Sequence, residues 1–311
     1  MNVLEKTTKE YEDAYKALAF ESQLHSATSY AEPIFSILEG SLSGVPCVFE
    51  PRLAYRPGEV TVYGGINGHG KTLLTVQLAL ALLNQGERSS IMSFEMLPAR
   101  TILRMMRQSY DRRPTIDDVI PFCKRIDNGL LFLNIQGAIS TEAVLGAAIV
   151  SVQSFHARHI FIDSLMKCVA GEDDYNGQKF FIQQICDVAR ILGCHIHVVH
   201  HMRKGRDEYE ELTKFSFRGS SAIVDQADNA VIIQRNKAKE HAIEKRSYDM
   251  SKDSFEPDTY LRIEKQRNGD FEGPVGLWFN KFRTAFCLDA GRTPIFDLTD
   301  SQRKEQEKTD E

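Results

Sequence analysis

The sequence predicts an α/β fold in which a mainly parallel sheet is flanked by helices and carries antiparallel edge strands near the C-terminus. From Glu59 onward, short β-rich segments alternate with longer helical segments, an order typical of parallel strands joined by crossover helices. After residue 259, three strand-like segments follow one another without a helix between them, as in hairpins. The predicted strands are 59–63, 89–93, 130–134, 159–163, 195–200, 229–234, 260–266, 275–279 and 285–288, and the predicted helices are 71–84, 99–110, 141–157 and 177–192.

Composition and charge narrow the class of protein. The chain has 311 residues, of which 42 % are hydrophobic and 26 % are charged, close to the average of globular proteins. Its net charge of −5 excludes a protein that is basic overall, but not one with a local basic strip. Apolar runs are far shorter than the ~18 residues of a membrane-spanning helix, and the charged N-terminus does not read as a signal peptide. The six cysteines form no CxxC pair, so we expect free thiols in a cytoplasmic protein that does not bind a membrane.

Four segments are predicted along the chain. Residues 1–25 form a helix with apolar side chains on one face, and residues 26–45, rich in proline and glycine, form a connector. Residues 46–296 hold the α/β domain, and the polar tail 297–311 is predicted to be disordered. The apolar face of the first helix requires a surface to pack against.

A phosphate-binding motif lies between the first predicted strand and helix of the domain. Residues 65–72 read GINGHGKT and match the pattern GxxxxGK[ST]. In such a loop the backbone N–H groups surround a phosphate, the lysine contacts the β- and γ-phosphates, and the final hydroxyl is a ligand of Mg²⁺. We therefore expect ATP or another nucleoside triphosphate, with Mg²⁺, to bind. The predicted nucleotide-binding residues are Gly65, Asn67, Gly68, His69, Gly70, Lys71 and Thr72.

Two acidic residues follow strands that would end at the same edge of the sheet as this loop. Asp163 ends the apolar run HIFID and is predicted to help hold Mg²⁺, although an Asp at this position could instead cap a helix. Glu95 follows the strand 89–93 and is predicted to orient the attacking water. A glutamate that is merely exposed in a loop is the alternative.

An ordered set of motifs extends the pattern beyond the phosphate loop. They are SFEM at 93–96, FIDS at 161–164, VVHHMRK at 198–204, FRGSSAIVDQADNAVIIQRN at 217–236 and EKQRNG at 264–269. With them the chain, from about Pro57 to Phe286, resembles the motor domain of DnaB-type replicative helicases, more closely that of phage primase–helicases and the mitochondrial helicase Twinkle. The resemblance implies a RecA-like P-loop NTPase fold. It further implies that Glu95 is the general base, that Asp163 coordinates Mg²⁺ and that His201 senses the γ-phosphate.

The resemblance also assigns cationic residues to the nucleotide. Lys265 and Arg267 correspond to a pair that reaches the nucleotide of the neighbouring subunit, with Arg267 as arginine finger; an exposed basic strand edge is the alternative. Arg235 corresponds to a residue near the nucleotide base. Because side chains alternate along a strand, one of His200 and His201 is expected to be a core residue; we assign that position to His200 and leave the reverse open.

A long loop and the RGS sequence that follows it correspond to the DNA-binding segment of the family. The predicted DNA contacts are Arg203, Lys204, Arg206, Arg218, Gly219 and Ser220. A solvated loop of mixed charge is the alternative. At position 225, where relatives commonly have Gln, the chain has Asp225, and Gln226 follows it, so neither residue is given a role. The acidic loop 171–174 is not given a role either.

The expected function is that of an ATP-dependent replicative DNA helicase. The resemblance implies a homo-hexameric ring that moves 5′ to 3′ on single-stranded DNA and unwinds the replication fork. The first helix would then grip the adjacent subunit, or else pack within its own chain. We expect a helicase-only member, encoded by a phage or a mobile element, whose partners include a separate primase, loader or polymerase. A RecA/RadA-type recombinase or recombination mediator, and a KaiC-like regulatory ATPase, remain open as alternatives.

Overall fold

The computed structural model describes residues 26–39, 44–169, 171, 174–203, 207, 209–217, 222–245 and 255–295. The chain divides into two compact units, 1–43 and 44–311. In the first, a 3₁₀ turn leads into helix α1 (Ala31–Leu38), which the punctuated sequence of the predicted connector did not indicate. Pro33 lies in the first turn of α1, where the missing N–H of proline leaves no bond unmade. The predicted segments 1–25 and 297–311 lie outside the described residues.

A sheet of nine strands forms the centre of the second unit. The strands of this unit are β1 (Val45–Cys47), β2 (Glu50–Tyr55), β3 (Val60–Gly65), β4 (Ser89–Ser93), β5 (Leu130–Phe132), β6 (His159–Asp163), β7 (His195–His201), β8 (Asn229–Arg235), β9 (Thr259–Gln266), β10 (Gly273–Asn280) and β11 (Ala285–Cys287). The large sheet has the order β11-β10-β9-β8-β3-β7-β6-β4-β5, and β1 pairs with β2 in a separate hairpin. The six strands from β8 to β5 are parallel, whereas β9, β10 and β11 are antiparallel, as predicted.

Helices lie between the strands of this unit along the chain. They are α2 (Lys71–Asn84), α3 (Pro98–Ser109), α4 (Val119–Ile126), α5 (Thr141–Phe155), α6 (Tyr175–Leu192), α7 (Ala222–Gln226) and α8 (Lys237–Glu244). The four predicted helices agree with α2, α3, α5 and α6 to within two residues at each end. The hairpin β1–β2 and the helices α4, α7 and α8 were not predicted. Among the described residues, no helix is long and apolar enough to span a bilayer.

Two apolar cores cover the two faces of the sheet, as the alternation of side chains along a strand requires. On β8, Ala230 and Ile232 belong to the core that includes α5 and α6, whereas Val231 and Ile233 belong to the core that includes α2 and α4. The sheet is therefore buried on both faces, which is why its central strands read as continuous apolar runs.

Three buried histidines, none of which was predicted to have a role, lie side by side within this sheet. His159 Nδ1 lies 3.2 Å from His197 Nε2, and Tyr63 Oη lies 3.1 Å from His197 Nδ1. His195 bridges the Thr61 hydroxyl and the Arg56 carbonyl, each at 2.8 Å. Burial lowers the pKa of His195 to about 4 and holds the pKa values of His159 and His197 well below their usual range. The three rings are therefore neutral in the folded protein at pH 7. We call them the histidine cluster.

Candidate nucleotide-binding site

The phosphate loop connects β3 to α2 and curls around its own lysine. Gly70 has φ +96, a conformation that favours glycine, and a Cβ there would lie 2.9 Å from Phe286 Cζ. Lys71 is 6 % exposed, and its Nζ donates to Gly65 O at 2.7 Å and Ile66 O at 3.2 Å. Burial lowers the pKa of Lys71, opposed by the nearby carboxylates. The ammonium group thus lies in the concavity of the loop, where phosphate oxygens would replace the two carbonyls.

A hydroxyl and a carboxylate meet beside this loop. Thr72 Oγ1 donates to Asp163 Oδ2 at 2.6 Å, and Asp163 is 6 % exposed at the end of β6. Burial raises the pKa of Asp163, and the hydrogen bond from Thr72 opposes that shift. These two oxygens are of the hard type that Mg²⁺ binds, so the pair fits a magnesium ion held partly by nucleotide phosphates. In the part of the chain that the structure describes, no group of three His, Cys, Asp or Glu side chains offers a metal site.

Glu95 follows β4 and lies between two polar side chains from neighbouring strand ends. Its Oε1 accepts a hydrogen bond from Ser164 Oγ at 3.1 Å and lies 3.6 Å from His201 Nε2. The His201 ring chiefly, and the Ser164 hydroxyl, lower the pKa of Glu95 against the opposing effect of burial. The side chain of Glu95 is 39 % exposed. The carboxylate is therefore ionised and open to solvent beside the phosphate loop.

The two histidines at the end of β7 have different surroundings. His201 is partly exposed beside Glu95, and its Nδ1 is buried without a hydrogen-bond partner among the described residues. His200 is fully buried, and its ring stacks on that of Phe217 with centroids 6.1 Å apart. Phe217 also pairs with Met202 in a short antiparallel bridge, which brings the end of the long loop back onto the sheet.

A cavity of about 590 Å³ adjoins the phosphate loop on its other side. Its lining includes Gly68 to Gly70, Arg235 at the end of β8 and residues of α8. Arg235 Nε lies 2.6 Å from Glu240 Oε1, which fixes the guanidinium at the cavity wall. Burial, with nearby cationic groups, lowers the pKa of His69 to about 4. The sequence signal for the unpredicted helix α8 is Asn236, whose side chain caps it by accepting a hydrogen bond from Lys239 N at 3.0 Å.

Lys265 and Arg267 lie at the opposite end of the sheet. β9 is antiparallel to β8, with Gln266 opposite Asn229, so the end of β9 lies beside the starts of β8 and β3. The Lys71 ammonium binds at Gly65, which is five residues along β3 from Val60. At ~3.3 Å per residue, the start of β3 is therefore about 17 Å from the lysine site. The two cations therefore do not reach the phosphate loop of their own chain.

Of the predicted DNA contacts, Arg203 is described, whereas Lys204, Arg206, Arg218, Gly219 and Ser220 lie outside the described residues. Arg203 is exposed, and its N–H donates to Ser216 O at 2.9 Å. A 3₁₀ turn, capped by Thr213, follows in the same loop and presents Phe215 with 85 % of its surface exposed. Phe215 was not predicted as a DNA contact, although an aromatic side chain within a cationic loop is a signal for binding single strands.

The two positions left without a role, Asp225 and Gln226, are the last residues of α7. In the acidic loop, Asp174 caps α6 by accepting a hydrogen bond from Gly177 N at 2.9 Å. Glu172 and Asp173 lie outside the described residues.

The sheet order, the phosphate loop between β3 and α2, and the carboxylate at the end of β6 define a RecA-like P-loop NTPase fold. The family model described as "AAA domain" matches residues 54–207. A solved structure titled "The Structure Of A DnaB-Like Replicative Helicase And Its Interactions With Primase" has a TM-score of 0.66 and 17 % identity, covering 90 % of this chain and 78 % of that one. The structure titled "ATPase Domain of G40P" has a TM-score of 0.67 and 18 % identity, covering 85 % and 98 %. The predicted fold is confirmed: the chain has the fold of DnaB-type helicase ATPase domains.

Proposed function

We propose that the protein is an ATP-driven replicative DNA helicase that acts as a ring of identical subunits. The observation that carries the proposal is the position of Glu95, an ionised carboxylate held by Ser164 and His201 beside a phosphate loop whose Thr72 meets Asp163. A P-loop with a positioned base supports hydrolysis of a nucleoside triphosphate. The fold shared with a DnaB-like replicative helicase supports DNA as the substrate on which that energy is used.

In the proposed reaction, Lys71 binds the β- and γ-phosphates and Glu95 orients a water molecule for in-line attack on the γ-phosphorus. Thr72 and Asp163 would hold Mg²⁺, which when bound neutralises charge that develops on the phosphate oxygens. His201 contacts Glu95 on one side and would meet the γ-phosphate, so loss of that phosphate changes its hydrogen bonds. Arg235 and the cavity beside the loop would receive the ribose and base.

Assembly into a ring, expected to be a hexamer, is supported by the location of Arg267. An arginine at the edge of the sheet opposite its own phosphate loop is placed to serve a second copy of the chain, as an arginine finger does. Lys265 would accompany it. Hydrolysis would then depend on assembly, because each site takes one catalytic cation from its neighbour.

Single-stranded DNA would run through the ring along the loops that follow β7, with 5′-to-3′ movement. Arg203 is exposed at the start of this loop, and Phe215 stands beside Lys214 on a hydrogen-bonded turn. We add Phe215 to the proposed DNA contacts, as a stacking platform for a base. A primase is a proposed partner because a structure of the same fold is described with one, and a loader or polymerase would act at the same fork in the cytoplasm.

The chemistry is tested by ATP hydrolysis in the presence and absence of poly(dT). Replacing Glu95 with Gln should lower the DNA-stimulated rate by ~10² or more, because it removes a positioned base, while ATP binding persists. The matched control is Glu142→Gln, an exposed glutamate at the start of α5, which should retain the wild-type rate. An E95Q rate above about a tenth of wild type would contradict the assignment of the base.

The motor function is tested by strand displacement on forked DNA carrying a single 5′ or 3′ tail, with electron microscopy of the ATP-bound protein. Rings that unwind the fork from the 5′ tail support the proposal. Filaments that pair strands would instead favour a recombinase, and rings whose ATPase ignores poly(dT) at low salt would favour a regulatory ATPase.

The aromatic contact is tested with Phe215→Ala and, as control, Phe255→Ala, which removes a 72 % exposed phenylalanine elsewhere. Loss of one stacked base costs about 1–3 kcal/mol, so F215A should bind oligo(dT) about fivefold or more weakly. The dependence of log K on log salt should stay the same, because no phosphate contact is removed. Equal loss in both variants would contradict stacking on Phe215.

A further inference from the structure

Two buried carboxylates lie at the edge of the sheet opposite the nucleotide site. Asp228, immediately before β8, is 4 % exposed, and Glu59, immediately before β3, is 5 % exposed. Asp228 Oδ2 accepts a hydrogen bond from Val60 N at 3.0 Å, and its own N–H donates to Val60 O at 3.0 Å. Both the side chain and the backbone of Asp228 are therefore tied to the first residue of β3.

The second carboxylate oxygen of Asp228 faces Arg267. Arg267 Nη1 lies 2.9 Å from Asp228 Oδ1, and the Arg267 N–H donates to Asp228 O at 2.9 Å. On the other side, Nη2 lies 3.4 Å and 3.5 Å from the carbonyl oxygens of Asp225 and Gln226 at the end of α7. Yet 42 % of the Arg267 side chain remains exposed. Since a guanidinium carries five donors in one rigid plane, fixing one side of it also fixes where the exposed donors point.

Further hydrogen bonds hold the C-terminal end of β9, from which Arg267 projects. Asn268 Nδ2 donates to Glu59 Oε1 at 2.7 Å, and Asn229 Nδ2 donates to Glu59 Oε2 at 3.2 Å. Lys265 Nζ donates to three carbonyl oxygens of the α7 segment, at 2.8 to 2.9 Å. Arg267 thus projects from a segment that is anchored on both sides.

We propose that Asp228 is a positioning residue for Arg267: it fixes the guanidinium at the subunit surface in the orientation that meets the nucleotide of a neighbouring copy. The inference rests on the proposed function, because it requires Arg267 to act in trans. Burying a carboxylate is costly, and a neutral side chain of the same size would cost less. The buried charge of Asp228 is explained if it preorganises the charge of Arg267, which in turn stabilises the transition state.

The role is tested with Asp228→Asn, which keeps the size of the side chain and an oxygen for Val60 N but removes the charge. We expect kcat for DNA-stimulated ATP hydrolysis to fall at least about tenfold while KM for ATP stays within about twofold, because the chain's own phosphate loop is untouched. Arg267→Ala should lower kcat by ~10³ in the same assay. Circular dichroism and ring assembly should match those of the wild type.

Mixed rings separate positioning from a general loss of structure. An E95Q subunit does not hydrolyse ATP but offers a well-held Arg267, whereas a D228N subunit has an intact base and phosphate loop. The ATPase rate of a mixture should therefore exceed the sum of the two proteins assayed apart. A mixture of D228N with R267A should show no such gain, since neither subunit offers an oriented arginine.

Two results would overturn the proposal: a folded D228N protein with kcat within about twofold of wild type, or no gain of rate on mixing with E95Q. If R267A itself keeps its kcat, the failure lies in the proposed trans-acting arginine and so in the ring mechanism. Should D228N not fold, Asp228→Glu takes its place. It keeps the charge but displaces it by one methylene, and the same loss of kcat and the same restoration by E95Q are expected.

Discussion

Acidification should destabilise this protein through the histidine cluster formed by His159, His195 and His197. All three are neutral in the folded state, because burial holds their pKa values far below the ~6.5 of an exposed imidazole. A histidine whose pKa is lower in the folded than in the unfolded state stabilises the fold fully above pH 6.5, the pKa of the unfolded state. This stabilisation is lost as the pH falls toward the folded-state pKa. The perturbation is a shift from pH 7.5 to pH 5.5.

The magnitude follows from proton uptake on unfolding. For His195, with a folded pKa of about 4, linkage gives a loss of about 1.3 kcal/mol across this range. Burial lowers the pKa values of His159 and His197 in the same direction, so both add to this loss of stability. The loss from His195 alone is already a noticeable part of the ~5–15 kcal/mol of an ordinary domain.

Urea unfolding, followed by circular dichroism at pH 7.5, 6.5 and 5.5, measures the effect. His195→Gln, which can still hydrogen-bond Thr61 and Arg56, should reduce the pH dependence by about 1.3 kcal/mol. His156→Asn is the control: this exposed residue has φ +57, which asparagine tolerates, and its loss should leave the dependence unchanged. A pH dependence for H195Q equal to that of the wild type would refute the reasoning.

Three further predictions concern other parts of the chain. Gly70→Ala forces a Cβ against Phe286 and strains the phosphate loop, so ATP affinity measured by fluorescent-nucleotide binding should fall at least about tenfold, whereas an unchanged affinity would contradict that strain. Asp258→Asn removes the charge 2.8 Å from the buried Lys239 ammonium and should lower the free energy of unfolding by about 3 kcal/mol; Asp187→Asn at an exposed pair serves as control. Of the six thiols, all but that of Cys123 are buried, so a thiol reagent should modify about one cysteine in the native protein and all six in denaturant, and rapid reaction of several native thiols would be inconsistent with this packing.

Much of the sheet could be predicted because its segments have clear apolar patterns and clear ends. The helix 71–84 and the strands 89–93 and 159–163 were predicted at the bounds the structure gives. The hairpin β1–β2 was missed because Pro46 and Pro51 argue against strands in the interior of a sheet, whereas both strands of a two-stranded sheet are edges, where proline is tolerated.

The phosphate loop and its carboxylates were predictable because a short motif and the ends of parallel strands fix them. The surroundings of Arg267 were not, because its partner Asp228 lies 39 positions away, and only the antiparallel pairing of β8 with β9 joins them. The histidine cluster was not predicted for a related reason. His159 and His195 come from different strands, and nothing local in either segment shows that their rings lie together.

Two adjacent glycines before the phosphate loop are constrained by different neighbours. A Cβ on Gly65 would lie 2.8 Å from the Ile233 carbonyl, on the next strand, whereas one on Gly64 would lie 2.6 Å from the Phe217 ring and 2.8 Å from Met202 Sδ. The first restriction comes from the sheet, and the second comes from the segment that closes the long loop after β7. The ring of Phe217, 153 positions further along the chain, thus leaves room only for glycine at position 64. Any substitution that lengthens the side chain there would press on that loop before it disturbed a bound phosphate.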